Sequence, residues 1–264
     1  MLSRAAADEI VRRADSGRTS PLLMLCRADT EAPVELFCKL SSGCDEGVLN
    51  LAREVIAACL ARDLELPVPV PYLVDIPPQL SAGVADGSIA AQLRESSSVG
   101  FGSARVDNQF SAWSSGSRIS NALVPVAMSA LVFDAVIENV DRRATNPNCL
   151  VAGDRIRLID HELGFPSKSV VIDWLPPWQE GSLNWLDQPD GHIFCKGLKR
   201  RDVDVSPLWE AWSGVSDDRL QEYRAAIPRE WAEALPAVDE ALDRIRGARD
   251  NIDGVIAEIL RVLQ

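Results

Sequence analysis

Short apolar runs bounded by turn residues fill the first hundred positions, and helical spacing dominates the rest. Residues 9–13, 22–27 and 34–40 read as three strands of an antiparallel meander. A helix is predicted at about 50 to 63, where Leu51, Val55, Ala58, Cys59 and Ala61 recur at helical spacing. Residues 71–76 and 100–106 are two further strands, and the small and polar residues 77–98 between them predict a loop with a short helical piece. Residues 120–138 predict a buried helix. Residues 217–224, 228–234 and 238–263 predict C-terminal helices, with Leu242, Ile245, Ile252, Ile256, Ile259, Leu260 and Leu263 turned to the core. Clustered tryptophans bring large apolar areas, so Trp174, Trp178, Trp185, Trp209, Trp212 and Trp231 are expected in that core. The order of elements is α+β, with a small antiparallel sheet and one helix ahead of a mainly helical second part.

Chemistry first enters after the buried helix, in Asn139-Val140-Asp141-Arg142-Arg143-Ala144-Thr145-Asn146-Pro147-Asn148. Asp141 and Asn146 stand five apart in a loop too polar and Pro-interrupted for helix or strand, the Asp-x-x-x-x-Asn spacing of a kinase catalytic loop. Asp and Asn also populate ordinary turns. A hairpin immediately downstream separates the two readings: residues 149–152 and 155–159 form two short strands around Gly153-Asp154 and return Asp160 to the loop. Magnesium prefers oxygen ligands, and Asn146 with Asp160 would supply two.

A cation for nucleotide phosphates is offered by Lys39, at the end of the apolar run Val34-Glu35-Leu36-Phe37-Cys38-Lys39-Leu40. Glu54, on the helix that follows, could swing toward it, and a Lys–Glu pair ahead of the catalytic loop is the kinase order. Asp15-Ser16-Gly17-Arg18-Thr19-Ser20-Pro21 replaces a Gly-rich loop. There Gly17 permits a tight turn, and Thr19 could reach phosphate oxygens.

In Leu36-Phe37-Cys38-Lys39, Arg53-Glu54 through Leu64-Glu65-Leu66-Pro67-Val68-Pro69, Phe101-Gly102-Ser103, Asn139-Val140-Asp141-Arg142 with Asn146 and Asn148, Leu158-Ile159-Asp160-His161-Glu162 and Ile227-Pro228-Arg229-Glu230-Trp231, the chain resembles the bacterial HipA-like kinases. It is more distantly similar to type II phosphatidylinositol 4-kinases through Asp141-Arg142 and Ile159-Asp160-His161-Glu162-Leu163-Gly164-Phe165-Pro166. The resemblance implies a two-lobed protein-kinase-like fold, here an N-lobe at residues 1–107 and a C-lobe at 108–264 joined by a hinge after Val106. It implies ATP and magnesium as cofactors and a protein Ser/Thr acceptor. Asp141 would be the base, Asn146 and Asp160 the metal ligands, and Lys39 the phosphate contact positioned by Glu54. An antitoxin-like partner is left open. So are two alternatives: a nucleotide-binding pseudokinase regulating a partner, and a lipid kinase. His161-Glu162 stands where protein kinases carry Phe-Gly.

Charge narrows the partners. With 39 acidic against 27 basic side chains and a net −12, the chain lacks a nucleic-acid footprint, and an anionic membrane surface would repel it. Lys199-Arg200-Arg201 is the one dense basic run, and Asp202 and Asp204 follow it at once, which predicts a mixed solvated surface. The apolar stretch 122–137 is interrupted by Pro125 and Asp134 and is too short to span a bilayer, and no leader pattern opens the chain, so a cytoplasmic protein is expected. Six cysteines without a Cys-x-x-Cys pair are expected reduced. The two histidines, His161 and His192, stand apart from any paired cysteines, so no zinc site is expected and His161 is read as a residue that supports the site's ligands or the structure rather than as a metal ligand.

Overall fold

The computed structural model describes residues 2–15, 17–29, 32–114, 116–167 and 175–264. The chain opens with β1 (Ser3–Arg13), β2 (Leu22–Ala28) and β3 (Val34–Lys39), paired as the antiparallel meander. Helix α1 (Val48–Asp63) and β4 (Pro71–Asp75) come next, then short helices α2 (Pro78–Ala82) and α3 (Gly87–Glu95), and β5 (Val99–Ala104).

The expected antiparallel sheet needs correction. Its five strands close into a barrel in the order β1-β2-β3-β5-β4, sealed by a parallel pairing of β1 with β4, from Ser3 opposite Tyr72 to Ala6 opposite Asp75. The sealing residues precede the strand predicted at 9–13. Ser-Arg-Ala-Ala carries little strand propensity, and its partner is distant in sequence, so nothing local announces it. Size explains its use. Ala5 and Ala7 point into a crowded interior with Leu22, Met24, Leu36 and Cys38, where a side chain on Gly102 of β5 would meet Val74 Cγ2 at 2.6 Å.

Beyond the barrel lie β6 (Ser111–Ala112), α4 (Val124–Ile137), β7 (Cys149–Ala152) and β8 (Arg155–Leu158), the strands forming a sheet in the order β6-β7-β8. Gly153 at φ +58° supplies the positive dihedral that the two-residue turn between β7 and β8 requires. Helices α5 (Cys195–Leu198), α6 (Ser206–Ser213), α7 (Asp217–Ala225), α8 (Leu235–Asp250) and α9 (Ile252–Leu263) complete the chain.

A second, larger core joins α1, α4 and the C-terminal helices. Helix α1 buries twelve of its sixteen residues, among them the polar Asn50, Arg53 and Glu54. It packs on α7 and α8 as well as on β5, which fixes its orientation from both sides. Trp212 and Trp231 are fully buried as expected, with Trp231 Nε1 donating to the Val99 carbonyl at 3.2 Å. Trp209 and Leu260 depart from expectation and are 47% and 37% exposed, because each lies on the outer side of its helix. Trp174 lies outside the described residues. Two of the three basic residues are engaged locally: Lys199 pairs with Asp187 at 2.6 Å, and Arg201 donates to the Ile119 carbonyl, while Arg200 is exposed. No helix among the described residues is long and apolar enough to cross a membrane.

Candidate active site

Helix α4 carries a single charged side chain among mostly apolar residues. Asp134 is fully buried, which would be costly without partners. Three reach it. Arg142 Nε donates to Oδ2 at 2.6 Å, Asn139 Nδ2 to Oδ1 at 2.8 Å, and His192 Nε2 meets Oδ2 at 3.0 Å. The Phe194 amide donates to His192 Nδ1, so the proton sits on Nε2 and the ring is a neutral donor to Asp134. Burial pushes the His192 pKa down, against the pull of Asp134. Asp134 is also disfavoured as a charge by burial, yet the Arg142 guanidinium holds its carboxyl far below the usual range.

This network roots the loop. Glu138 takes a left-handed conformation at the end of α4, φ +55°, and turns the chain out. Arg142 then reaches the carbonyls of Asn148 and Ile159, so one buried side chain ties both ends of the loop and the residue before Asp160 to α4. On the open side stands Asp141. Its Oδ2 accepts from Asn146 Nδ2 at 2.7 Å and Asn148 Nδ2 at 3.1 Å. Oδ1 is left facing Arg143 Nε at 3.9 Å. Burial raises the Asp141 pKa, the Asn148 hydrogen bond works against that, and the charge of Asp160 adds to the rise.

The β7–β8 hairpin delivers Asp160 as the sequence predicts. Its left-handed backbone, φ +62°, turns the carboxylate inward. There Lys39 Nζ, at the end of β3, donates to Asp160 Oδ1 at 2.5 Å, to Glu54 Oε1 at 2.5 Å and to Glu162 Oε2 at 2.8 Å. Burial lowers the pKa of Lys39, but the three carboxylates overcome it and hold the ammonium well above the ordinary lysine value. For Glu54, burial works upward and the Lys39 charge downward, with a net value of about 2. Glu162 stays above the usual range, mainly through burial.

Helix α1 is bolted to this segment. Asn50 Nδ2 donates to the Glu162 carbonyl at 3.0 Å, and Arg53 NH2 to Ser167 Oγ at 2.8 Å. His161, 3% exposed, sets Nδ1 3.6 Å from Glu54 Oε2 and its ring edge-on to Phe133, the structural place expected for it.

Lys39, Glu54 and Asp160 thus meet in one cluster, and Asp141 meets Asn146 beside it. Gly17 and Thr19 belong to the β1–β2 turn, where Gly17 has φ +114° and Thr19 is buried. That turn rests on the segment after Lys39, since a side chain on Gly43 would meet the Thr19 carbonyl at 2.6 Å. Carboxylate oxygens of Glu54, Asp160 and Glu162 lie within 4.8 Å of one another, a set of hard oxygen donors suited to a divalent cation. Asn146, its amide nitrogen committed to Asp141, keeps its oxygen for the same use.

Sequence reasoning gave no role to Glu162, Asn148, Asn50 and Asp134, although Glu162 and Asn148 lie in segments that carry the resemblance and Asp134 stands as a single carboxylate in an apolar run seven positions before Asp141.

The family model described as HipA-like kinase matches residues 7–178, a span that holds every residue of the Lys39 cluster and of the Asp141 loop. No curated protein matches the chain.

Proposed function

The chain belongs to the HipA-like kinase family, a kinase-type phosphotransferase family, and from that premise we propose that it transfers the γ-phosphoryl group of ATP to a Ser or Thr hydroxyl of a soluble protein. The observation that carries the reading is the single ammonium of Lys39 shared by Glu54 and Asp160, next to a loop in which Asp141 is held by two carboxamides. Barrel and helical part serve as the two lobes, 1–107 and 108–264.

Each residue has a task set by its surroundings. Asn146 and Asn148 hold Oδ2 of Asp141, so Oδ1 faces the acceptor hydroxyl and takes its proton. Burial and the charge of Asp160 make Asp141 a better base than a solvated carboxylate, since basicity nearer the working pH favours proton transfer. Lys39 binds nucleotide phosphates, and Glu54 keeps it aimed. Asp160 and the oxygen of Asn146 would hold magnesium, which when bound neutralises charge on the transferring phosphoryl group. Gly17 and Thr19 close the nucleotide site from the β1–β2 turn.

Incubating the protein with labelled ATP, magnesium and a bacterial extract, with phosphatidylinositol vesicles in a parallel arm, tests this. Label on protein Ser or Thr, lost in Asp141→Asn, is expected. Vesicle labelling lost in the same variant would make the chain a lipid kinase. ATP binding without transfer in either arm would make it a pseudokinase.

Because Glu54 acts through Lys39, the two positions should behave as one unit. The Lys39→Ala, Glu54→Ala double variant is expected to be little slower in kcat/KM than the worse single variant. Defects that multiply would mean that the two side chains serve separate ends.

A further inference from the structure

The ammonium of Lys39 has three N–H bonds, and three carboxylates take them: Glu54 and Asp160 at 2.5 Å each and Glu162 at 2.8 Å. No donor is left for a phosphate. If Lys39 is to bind nucleotide, which rests on the proposed kinase function, one of the three must let go.

Their surroundings differ. Glu54 is 2% exposed, on a helix packed from both sides, and its second oxygen faces His161. It is the partner least able to move. Asp160 is the most exposed of the three side chains, at 31%, and its proposed role gives it a cation in exchange for the ammonium. Glu162 is given no cation by that role, although its carboxylate lies close to those of Glu54 and Asp160. Among the described residues its carboxylate has Lys39 as its hydrogen-bond partner, and its main chain is pinned to α1 by Asn50. It sits in the turn where protein kinases carry glycine, which has no side chain to place there.

We propose that Glu162 is a resident stand-in for a nucleotide phosphate, an anion that fills the third N–H of Lys39 in the empty enzyme and competes with nucleotide for it. Asn50 is then a positioning residue, because its bond to the Glu162 carbonyl keeps that carboxylate in reach. The site is preassembled yet self-occupied, so nucleotide affinity is set by this exchange.

Equilibrium titration with ATP, with magnesium and again in chelator, reads the exchange directly. Glu162→Gln keeps the shape and removes the charge, and should bind ATP roughly tenfold tighter in both conditions, the scale of one charged hydrogen bond no longer broken. Glu162→Asp, which withdraws the carboxylate by one methylene, should give a smaller gain and serves as the second variant if the first is unstable to heat. A gain that persists in high salt marks direct competition, whereas one that salt abolishes would reduce Glu162 to a source of general repulsion and overturn the proposal. Weaker binding in magnesium alone would make Glu162 a cation ligand instead. Unchanged binding in both conditions would leave it a mere neighbour. Lys39→Met separates this from the parent reading: if it binds ATP as the unsubstituted protein does, the nucleotide role of Lys39 falls, whatever Glu162 does.

Discussion

Asp141→Asn is expected to slow phosphoryl transfer by roughly 100- to 10,000-fold, the range general-base catalysis supplies, while nucleotide affinity and the unfolding midpoint stay near those of the parent. The geometry makes the substitution unusually clean. Asn146 and Asn148 both donate to Asp141 Oδ2, so an amide at this position turns its oxygen toward them. Its NH2 group then replaces Oδ1, and a donor faces the hydroxyl that must give up a proton. Burial disfavours the native carboxylate, so loss of its charge does not threaten the fold. Single-turnover transfer from labelled ATP, with nucleotide titration and urea unfolding alongside, measures all three quantities. Turnover within a few-fold of the parent would remove Asp141 from the chemistry.

The second large effect is on stability. Asp134→Ala leaves the Arg142 guanidinium, fully buried, without a counter-charge, and it orphans the Asn139 and His192 donors. Breaking a buried pair by removing one partner costs about 3–5 kcal/mol, a large share of the stability of an ordinary domain. Urea denaturation should show it as a lower midpoint at constant slope. A loss below about 1 kcal/mol would mean that water or rearrangement satisfies Arg142, contrary to the sealed network seen. Removing both charges, as Asp134→Leu with Arg142→Met, should recover part of the loss, since a buried pair replaced by apolar groups is often neutral. Transfer should not recover, because the Arg142 contacts to the carbonyls of Asn148 and Ile159 hold the loop beside Asp160.

Local signals in the chain carried the pieces of this site. The spacing of Asp141 and Asn146 in a Pro-interrupted loop, the Gly153 turn that sends the chain back to Asp160, and Lys39 at the end of an apolar run are consequences of backbone periodicity and turn chemistry. These act over a few residues, and sequence shows them directly. The meander of β1, β2 and β3 was legible for the same reason, since alternation and short connections specify it.

Pairings between distant parts of the chain were not legible. Lys39 and Asp160 are 121 positions apart, and their contact depends on where the barrel and the hairpin come to rest. Closure of the barrel by Ser3 to Ala6 against β4 rests on the fit of small side chains in a filled interior, which a propensity scale does not register. Glu162 reads as an ordinary turn carboxylate until burial beside Lys39 gives it a partner. Asp134 shows the division most plainly. Its place in an apolar helix determines that a buried charge needs counter-groups, because an uncompensated carboxylate in a low-dielectric interior is too costly to keep. Which groups answer, Arg142 from the loop and His192 from 58 positions on, was decided only when the tertiary fold brought them within hydrogen-bond reach.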